Sequence, residues 1–311
     1  MEEKLRAVVL RTEFLRPAVL NLKSKLFFMD LRDHILKSAK PCVAPNKKTF
    51  STLSLPDRDA IALGLGIPKR EVEVAALGLE VWPQRYLRNA GSLGIAGQKK
   101  LLESRALLIG VGGLGGTIAQ LLARMGLGRL VIADGDIFSE DNLNRQAFCF
   151  EETVGGSKVQ VARTEISKIN SSTEVEIFEG FVTEREISSL IQGTAVAIDA
   201  LDNMPSRFRL ETACREAKIP LVHGAVAGFT GQVTTIYPDD IGFRAFYGAP
   251  ETAPEKGIEL ELGNLAGIVS TIASLQVQEA TKVITGLGRP LRNRLLFLDS
   301  LNGSAETISL K

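Results

Sequence analysis

Three stretches of this chain hold residues able to do chemistry. In the first, Gly110-Val111-Gly112-Gly113-Leu114-Gly115, the glycines have the G-x-G-x-x-G spacing. That spacing lets a chain turn tightly and bring backbone N–H groups against phosphate oxygens with no Cβ in the way. Asp134 and Asp136 follow about 20 residues further on, where a carboxylate can accept hydrogen bonds from ribose hydroxyls. The second stretch, Asp141-Asn142-Leu143-Asn144-Arg145-Gln146, brings Arg145 with Asn142 and Asn144 as amide partners, and Lys158 comes soon after in Gly155-Gly156-Ser157-Lys158. The third is Asp199-Ala200-Leu201-Asp202-Asn203. A dehydrogenase keeps the pyrophosphate of its cofactor intact and has little use for cations beside it. Arg145 and Lys158 converging on a triphosphate would instead offset the charge that builds as pyrophosphate leaves. A carboxylate such as Asp202 suits Mg²⁺ bridging to phosphate. Taken singly, each of these charged residues fits a solvated surface. Their joint order points to ATP.

The elements that must position these residues are legible around them. Ala106-Leu107-Leu108-Ile109 is an apolar run of the kind a buried parallel strand shows, and Leu114 to Met125 has the spacing of a helix packed on a sheet. Leu130-Val131-Ile132-Ala133 is the next strand, ending in Asp134, and Ala195-Val196-Ala197-Ile198 is another, ending in Asp199. Asp202 then stands at the carboxyl end of the sheet, where ligands of open α/β folds sit. Lys158 falls at the start of a further helix. The expected fold is α/β: a Rossmann-like nucleotide-binding sheet flanked by helices, with a small, mostly helical N-terminal appendage.

The chain from about Arg85 to Lys311 resembles the ThiF/MoeB/HesA proteins, bacterial relatives of ubiquitin-activating enzymes. The likeness runs through Arg85-Tyr86-x-Arg88, the glycine motif, Asp134-x-Asp136, Asn142-Leu143-Asn144-Arg145-Gln146, Val154-Gly155-x-x-Lys158, Asp202-Asn203, Pro220-Leu221-Val222-x-Gly224-Ala225 and Gly231-Gln232-Val233. It implies an appendage over residues 1–84 and an adenylating domain over 85–311. The implied activity is ATP-dependent adenylation of the C-terminal carboxylate of a small ubiquitin-like carrier protein ending in Gly-Gly, with release of pyrophosphate, in sulfur transfer of the thiamin or molybdopterin type. On the matching positions Asp134 would bind ribose, Asn142, Arg145 and Lys158 would hold phosphates, and Asp202 would hold Mg²⁺. Gly110, Gly112, Gly113, Gly115, Asp136, Asn144 and Asn203 complete the implied nucleotide site. Arg88 would cross a dimer interface to the partner's ATP, which implies a homodimer. Related proteins activate a tRNA nucleoside or peptide carboxylate instead, and a nucleotide- or carrier-binding module without turnover is a third reading. The set of Arg145, Lys158 and Asp202 stands against the last.

Departures from the family pattern are equally informative. Many relatives carry two Cys-x-x-Cys pairs for zinc, whereas here Gly242-Phe243-Arg244-Ala245-Phe246-Tyr247 stands at the first place and the sequence reaches Lys311 without the second. Cys42, Cys149 and Cys214 are the only cysteines and none are paired at metal spacing, so no zinc site is expected. The segment Phe243 to Gly263 lacks the cysteine some relatives use for covalent capture. Rich in Gly, Pro and charge, it is expected to be a mobile loop over the site.

Composition supplies the remaining bounds. Residues 1–50 hold eleven Lys and Arg against five Asp and Glu, a net of +6 that leaves −5 for the remainder of a chain whose net is +1. The excess is scattered and reads as a solvated surface, so a nucleic-acid partner is not expected. Leu55 to Leu79 reads as two short helices opened by Pro56 and joined at Gly64-Leu65-Gly66-Ile67-Pro68, a helical cap rather than a DNA-reading pair. Two histidines, His34 and His223, argue against a histidine metal site. His223 sits near a strand end, either packed or facing substrate. Few cysteines and no signal peptide suggest the cytoplasm. Leu262 to Ile284, interrupted by Gln276, Glu279 and Lys282 among others, reads as an amphipathic core helix and not a membrane span.

Overall fold

A computed structural model describes residues 29–43, 47–253 and 257–310. They form two compact units divided after Ala90. In the first unit a helix over residues 29–38 (α1) precedes a hairpin of β1 (Lys40–Val43) and β2 (Thr49–Leu53). Then come α2 (Leu55–Leu65), α3 (Lys69–Gly78) and β3 (Val81–Pro83), the last pairing parallel with β2.

The two helices stand where Pro56 and the Gly64–Pro68 turn place them. Ser54 caps α2 by accepting from the Asp57 N–H, and Gly66 closes it with φ of 65°, a left-handed conformation that suits glycine. The small three-stranded sheet is an addition to the helical appendage expected from sequence. Leu31, Ile35, Leu53, Ile61, Val72 and Val81 form the core of this unit. The buried Glu73 carboxylate accepts from Arg58 Nη1 at 2.8 Å and from the Tyr86 hydroxyl at 3.2 Å. The second bond fastens the 3₁₀ turn Gln84–Asn89, which carries Arg88, to α3.

The second unit begins in α4 (Ala90–Glu103), kinked at Gly94, and is built on one eight-stranded sheet. Five strands are parallel: β4 (Arg105–Ile109), β5 (Arg129–Asp134), β6 (Glu174–Glu179), β7 (Val196–Asp199) and β8 (Leu221–Ala227). An antiparallel extension follows, made of β9 (Thr230–Ile236), β10 (Arg294–Asp299) and β11 (Ser304–Ser309). In space the order is β11-β10-β9-β8-β7-β4-β5-β6. The direction of winding therefore reverses between β4 and β7, and ligands of open α/β sheets bind outside the carboxyl ends of the strands at such a switch point.

Helices cover both faces, which is why the central strands read as unbroken apolar runs. Leu108, Ile132 and Ile198 face a core formed with α5 (Gly113–Met125), α6 (Lys158–Ile169) and α11 (Ala266–Thr285). Leu107, Ile109, Val131 and Ala197 face α7 (Glu184–Leu190) and α8 (Met204–Ala217). Two four-residue helices, α9 (Arg244–Tyr247) and α10 (Glu259–Leu262), stand between β9 and α11. Among the described residues no helix is long and apolar enough to cross a membrane.

α11 lies close on the sheet because β8 and β9 each present a glycine to it. A Cβ on Gly231 would overlap Ile272, and one on Gly224 would overlap Gln276. Gly231→Ala is expected to push α11 off the sheet and cost about 1–3 kcal/mol. Thermal unfolding should show Tm lowered by several degrees, and an unchanged Tm would refute this account of the packing.

Candidate nucleotide site

β4 ends at Ile109 and α5 begins at Gly113, leaving a tight turn at the switch point. Its glycines do different work. Gly110 has φ of 92°, and a Cβ there would overlap the Ala200 carbonyl at the end of β7. A Cβ on Gly115 would overlap the Gly110 carbonyl, and one on Gly113 would lie 3.0 Å from Val269 and 3.5 Å from Arg145 Cγ. Gly110 and Gly115 are demanded by packing, whereas a Cβ on Gly113 would need the Val269 side chain to give by a few tenths of an ångström. Around Gly112 nothing comes nearer than the Gln146 side-chain nitrogen at 3.8 Å. The space over Gly112 is therefore left open by the protein, at the N-terminus of a 13-residue helix whose first N–H groups lack intrahelical partners. The buried Oε1 of Gln146, beside this turn, has no hydrogen-bond partner.

Asp134 closes β5 and secures the same turn. Its Oδ2 accepts from the Val111 N–H at 2.6 Å and its Oδ1 from the Asp136 N–H at 2.8 Å. Burial pushes this carboxyl above the usual range, while the two backbone N–H groups and Lys158 act against that shift by favouring the charged form. Lys158, the first residue of α6, is buried and extends Nζ to Asp136 Oδ2 at 2.9 Å. Asp134, Asp136 and Lys158 thus form one linked group beside the glycine turn.

The stretch between β5 and α6 folds into short 3₁₀ turns. Asn142 is buried and its side chain accepts from the Ser139 N–H at 3.3 Å while donating to Asp141 at 3.2 Å. Its amide is used to shape the segment, so its placement at the site is partly structural. Arg145 donates Nη1 to the Asp141 carbonyl at 2.9 Å and to Asn144 Oδ1 at 2.7 Å, and its aliphatic stem lies against Gly113. Asn144 also donates to the Asn264 carbonyl at 3.2 Å, just before α11.

On the other side of the switch point, Asn203 caps α8 by accepting from the Ser206 N–H at 3.0 Å and donates to the exposed Asp202 at 3.2 Å. The Ala200 N–H bonds the Ile109 carbonyl at 2.9 Å, so the turn bearing Asp202 is joined to the strand bearing the glycines. Arg88 belongs to the first unit. Among the described residues no group of three His, Cys, Asp or Glu could by itself hold a metal ion, and a Mg²⁺ held by one carboxylate and nucleotide phosphates needs no such group.

Sequence reasoning overlooked what lies beneath Asp202. Asp199 is fully buried and its Oδ2 meets His223 Nδ1 at 2.7 Å, with Arg207 Nε at 3.4 Å. His223 Nε2 meets the Tyr247 hydroxyl at 3.1 Å, and Gln232 Nε2 donates to that hydroxyl at 2.6 Å. His223 is therefore packed, fully buried and hydrogen-bonded on both ring nitrogens. Burial lowers its pKa below the usual value, although the bond to Asp199 acts in the opposite direction. The segment after β9 was expected to be a mobile loop from Phe243 onwards. Phe243 is instead fully buried, edge-on to His223 with ring centroids 4.9 Å apart, because aromatic burial outweighs the loop-like composition around it. Cys149 and Cys214 are buried, and burial raises both thiol pKa values, a direction that disfavours reactive thiolates.

The chain and its fold have clear relatives. Residues 86–311 match the model of the ThiF family. The chain is 38% identical over 229 residues to the SAMP-activating enzyme E1 of Haloferax volcanii, covering 72% of this chain and 84% of that protein. It is 34% identical over 206 residues to the molybdopterin-synthase adenylyltransferase of Escherichia coli K12, covering 66% of this chain and 82% of that one. Some other curated relatives are longer, and the chain spans about half the length (49%) of one from maize. Among solved structures, PaaA superposes with a TM-score of 0.63 at 20% identity, covering 88% of this chain and 99% of that one, a likeness of fold. The chain belongs to the ThiF family.

The two kinds of glycine can be separated by experiment. Gly115→Ala is expected to cost about 3 kcal/mol or more, because backbone must move, whereas Gly112→Ala should leave Tm within about 1 °C of wild type, since its Cβ meets ordinary space. Equal stability of the two variants would contradict this division.

Proposed function

We propose that this chain is an adenylyltransferase that uses ATP and Mg²⁺ to activate the C-terminal carboxylate of a small ubiquitin-like sulfur-carrier protein ending in Gly-Gly, releasing pyrophosphate. The setting is sulfur transfer for cofactor biosynthesis of the thiamin or molybdopterin type, and the working form is a homodimer. One observation carries this reading. At the switch point an open glycine turn at a helix N-terminus is flanked by the Asp134–Asp136–Lys158 group on one side, Arg145 over the turn, and the Asp202 turn on the other.

In this assignment the turn around Gly112 receives phosphates and Asp134 receives ribose hydroxyls. Lys158, held by Asp136 until nucleotide arrives, and Arg145 contact the phosphates. Asn142 contacts the phosphates as well, and Asn144 and Asn203 complete the nucleotide site while holding the two flanking segments in shape. Asp202, exposed in the turn after β7, fits a Mg²⁺ site, and the ion when bound would neutralise phosphate charge. A carboxylate oxygen of the carrier attacks the α-phosphorus and forms an acyl–phosphate bond. The bond from the α-phosphorus to the bridging oxygen breaks, and pyrophosphate departs with that electron pair. Two anions must meet for this to occur, so the cations of the site lower the barrier by electrostatics and positioning without a side-chain nucleophile.

Asp202→Asn removes the charge at constant volume. It is expected to lower carrier-dependent exchange of labelled pyrophosphate into ATP by about 10²-fold or more while leaving the fold intact. Wild-type exchange in this variant would remove Asp202 from the metal assignment.

Arg88 is proposed to complete the partner subunit's site. Arg88→Ala and Arg145→Ala should each be inactive alone. Heterodimers of the two variants, verified by mass, should recover a substantial fraction of wild-type exchange, because one of their two sites is then complete. Absence of recovery in such heterodimers would place Arg88 outside the partner's site.

A further inference from the structure

With His223 neutral and protonated at Nδ1, the buried polar chain beneath the site runs in one hydrogen-bond direction. Gln232 donates to the Tyr247 oxygen, which leaves the Tyr247 hydroxyl proton for His223 Nε2, and His223 Nδ1–H then donates to Asp199 Oδ2. The imidazole is neutral in this arrangement, as its complete burial favours. Each end of the chain controls one loop. Asp199 Oδ1 accepts from the Leu201 N–H at 2.8 Å, Arg207 donates Nη2 to the Leu201 carbonyl at 2.7 Å, and Gln276 donates to the Asp199 carbonyl at 2.8 Å. Together they define the turn from Ala200 to Asn203. At the other end Tyr247 closes α9, at the start of the segment leading to α11.

A buried carboxylate with its own hydrogen-bonding histidine is expensive to desolvate, and an apolar pair of similar volume would pack there more cheaply. What the polar chain supplies is a fixed connection between two loops at the carboxyl edge of the sheet. Asp199 Oδ2 would otherwise keep only the longer contact to Arg207 at 3.4 Å. A buried carboxylate short of a donor relaxes by moving, and the Leu201 N–H moves with it.

We propose that His223 is a positioning residue for the nucleotide site, holding the Asp202-bearing turn through Nδ1 and Asp199 and, separately, the Arg244–Tyr247 segment through Nε2 and Tyr247. The inference rests on the nucleotide assignment above for its consequence, but its geometry is independent of that assignment.

The two arms can be cut one at a time. An asparagine amide can stand in for Nδ1 and a glutamine amide for Nε2. His223→Asn therefore keeps the donor to Asp199 and loses the Tyr247 bond, while His223→Gln does the reverse; Tyr247→Phe removes the second bond with the rings left in place. Calorimetric titration with Mg²⁺ and a non-hydrolysable α,β-methylene ATP analogue should give affinities within about threefold of wild type for His223→Asn and Tyr247→Phe, and a loss of at least about tenfold for His223→Gln. Hydrogen exchange of the protein without nucleotide should speed up in residues 200–203 only for His223→Gln, and in residues 244–247 for the other two. Equal exchange and equal affinity of His223→Asn and His223→Gln, whether both like wild type or both impaired, would overturn the proposal. Failure of the wild-type protein to bind the analogue would refute the nucleotide assignment instead, and hydrogen exchange would still decide the role of His223.

Discussion

The close approach of two backbone turns at the switch point is the constraint on which the rest depends. Gly110 leaves β4 in a left-handed conformation directly against the Ala200 carbonyl, and Gly115 brings α5 down onto the Gly110 carbonyl. Neither approach tolerates a Cβ. With both in place, the N-terminus of α5 opens beside the end of β7, so groups on strands and helices far apart in sequence come to the same carboxyl edge of the sheet. Asp134 stabilises the arrangement from a third strand by accepting the Val111 N–H, which makes it both a structural clasp and the candidate ribose ligand.

Electrostatics along this edge are prepared before any ligand arrives. Lys158 is buried, a costly position for an ammonium, and Asp136 offsets that cost at 2.9 Å. Arg145 is steadied by the Asp141 carbonyl and Asn144. A cation fixed in place loses less entropy on meeting phosphate than one that must be gathered from solvent. Beneath the opposite wall, Asp199, His223 and Tyr247 play the same part for the Asp202 turn, with Arg207 balancing the buried carboxylate.

Much of this was legible from sequence because the signals are local. A buried parallel strand, a glycine turn and the helix after it are neighbours in the chain, and their apolar runs and spacing reflect contacts each must make with its surroundings. Pro56 and the Gly64–Pro68 turn mark the ends of α2 for the same reason, since helix start and stop signals act within a few residues. The order Asp134, Arg145, Lys158, Asp202 likewise carried the expectation of nucleotide chemistry, with Asp134, Lys158 and Asp202 at or near the ends of recognisable elements.

What only the tertiary structure decided are the pairings between distant positions. His223 stands 24 residues from both Asp199 and Tyr247, and nothing in a strand reading Leu221-Val222-His223-Gly224 says that its imidazole meets a carboxylate one strand away. Asn142 also bonds Ser139 and Asp141 through its amide, which sequence does not show, and Phe243 lies in a segment rich in Gly, Pro and charge yet fills the core. The strands of the first unit are short and find partners through β2, so no period in their own residues announced them. Sequence by itself determined which residues could do chemistry and the elements that carry them, because helix, strand and turn propensities act over a few residues. Which side chains were already committed to one another, and which remained open to a ligand, depended on sheet order and helix placement, and those are settled by burial of the whole chain.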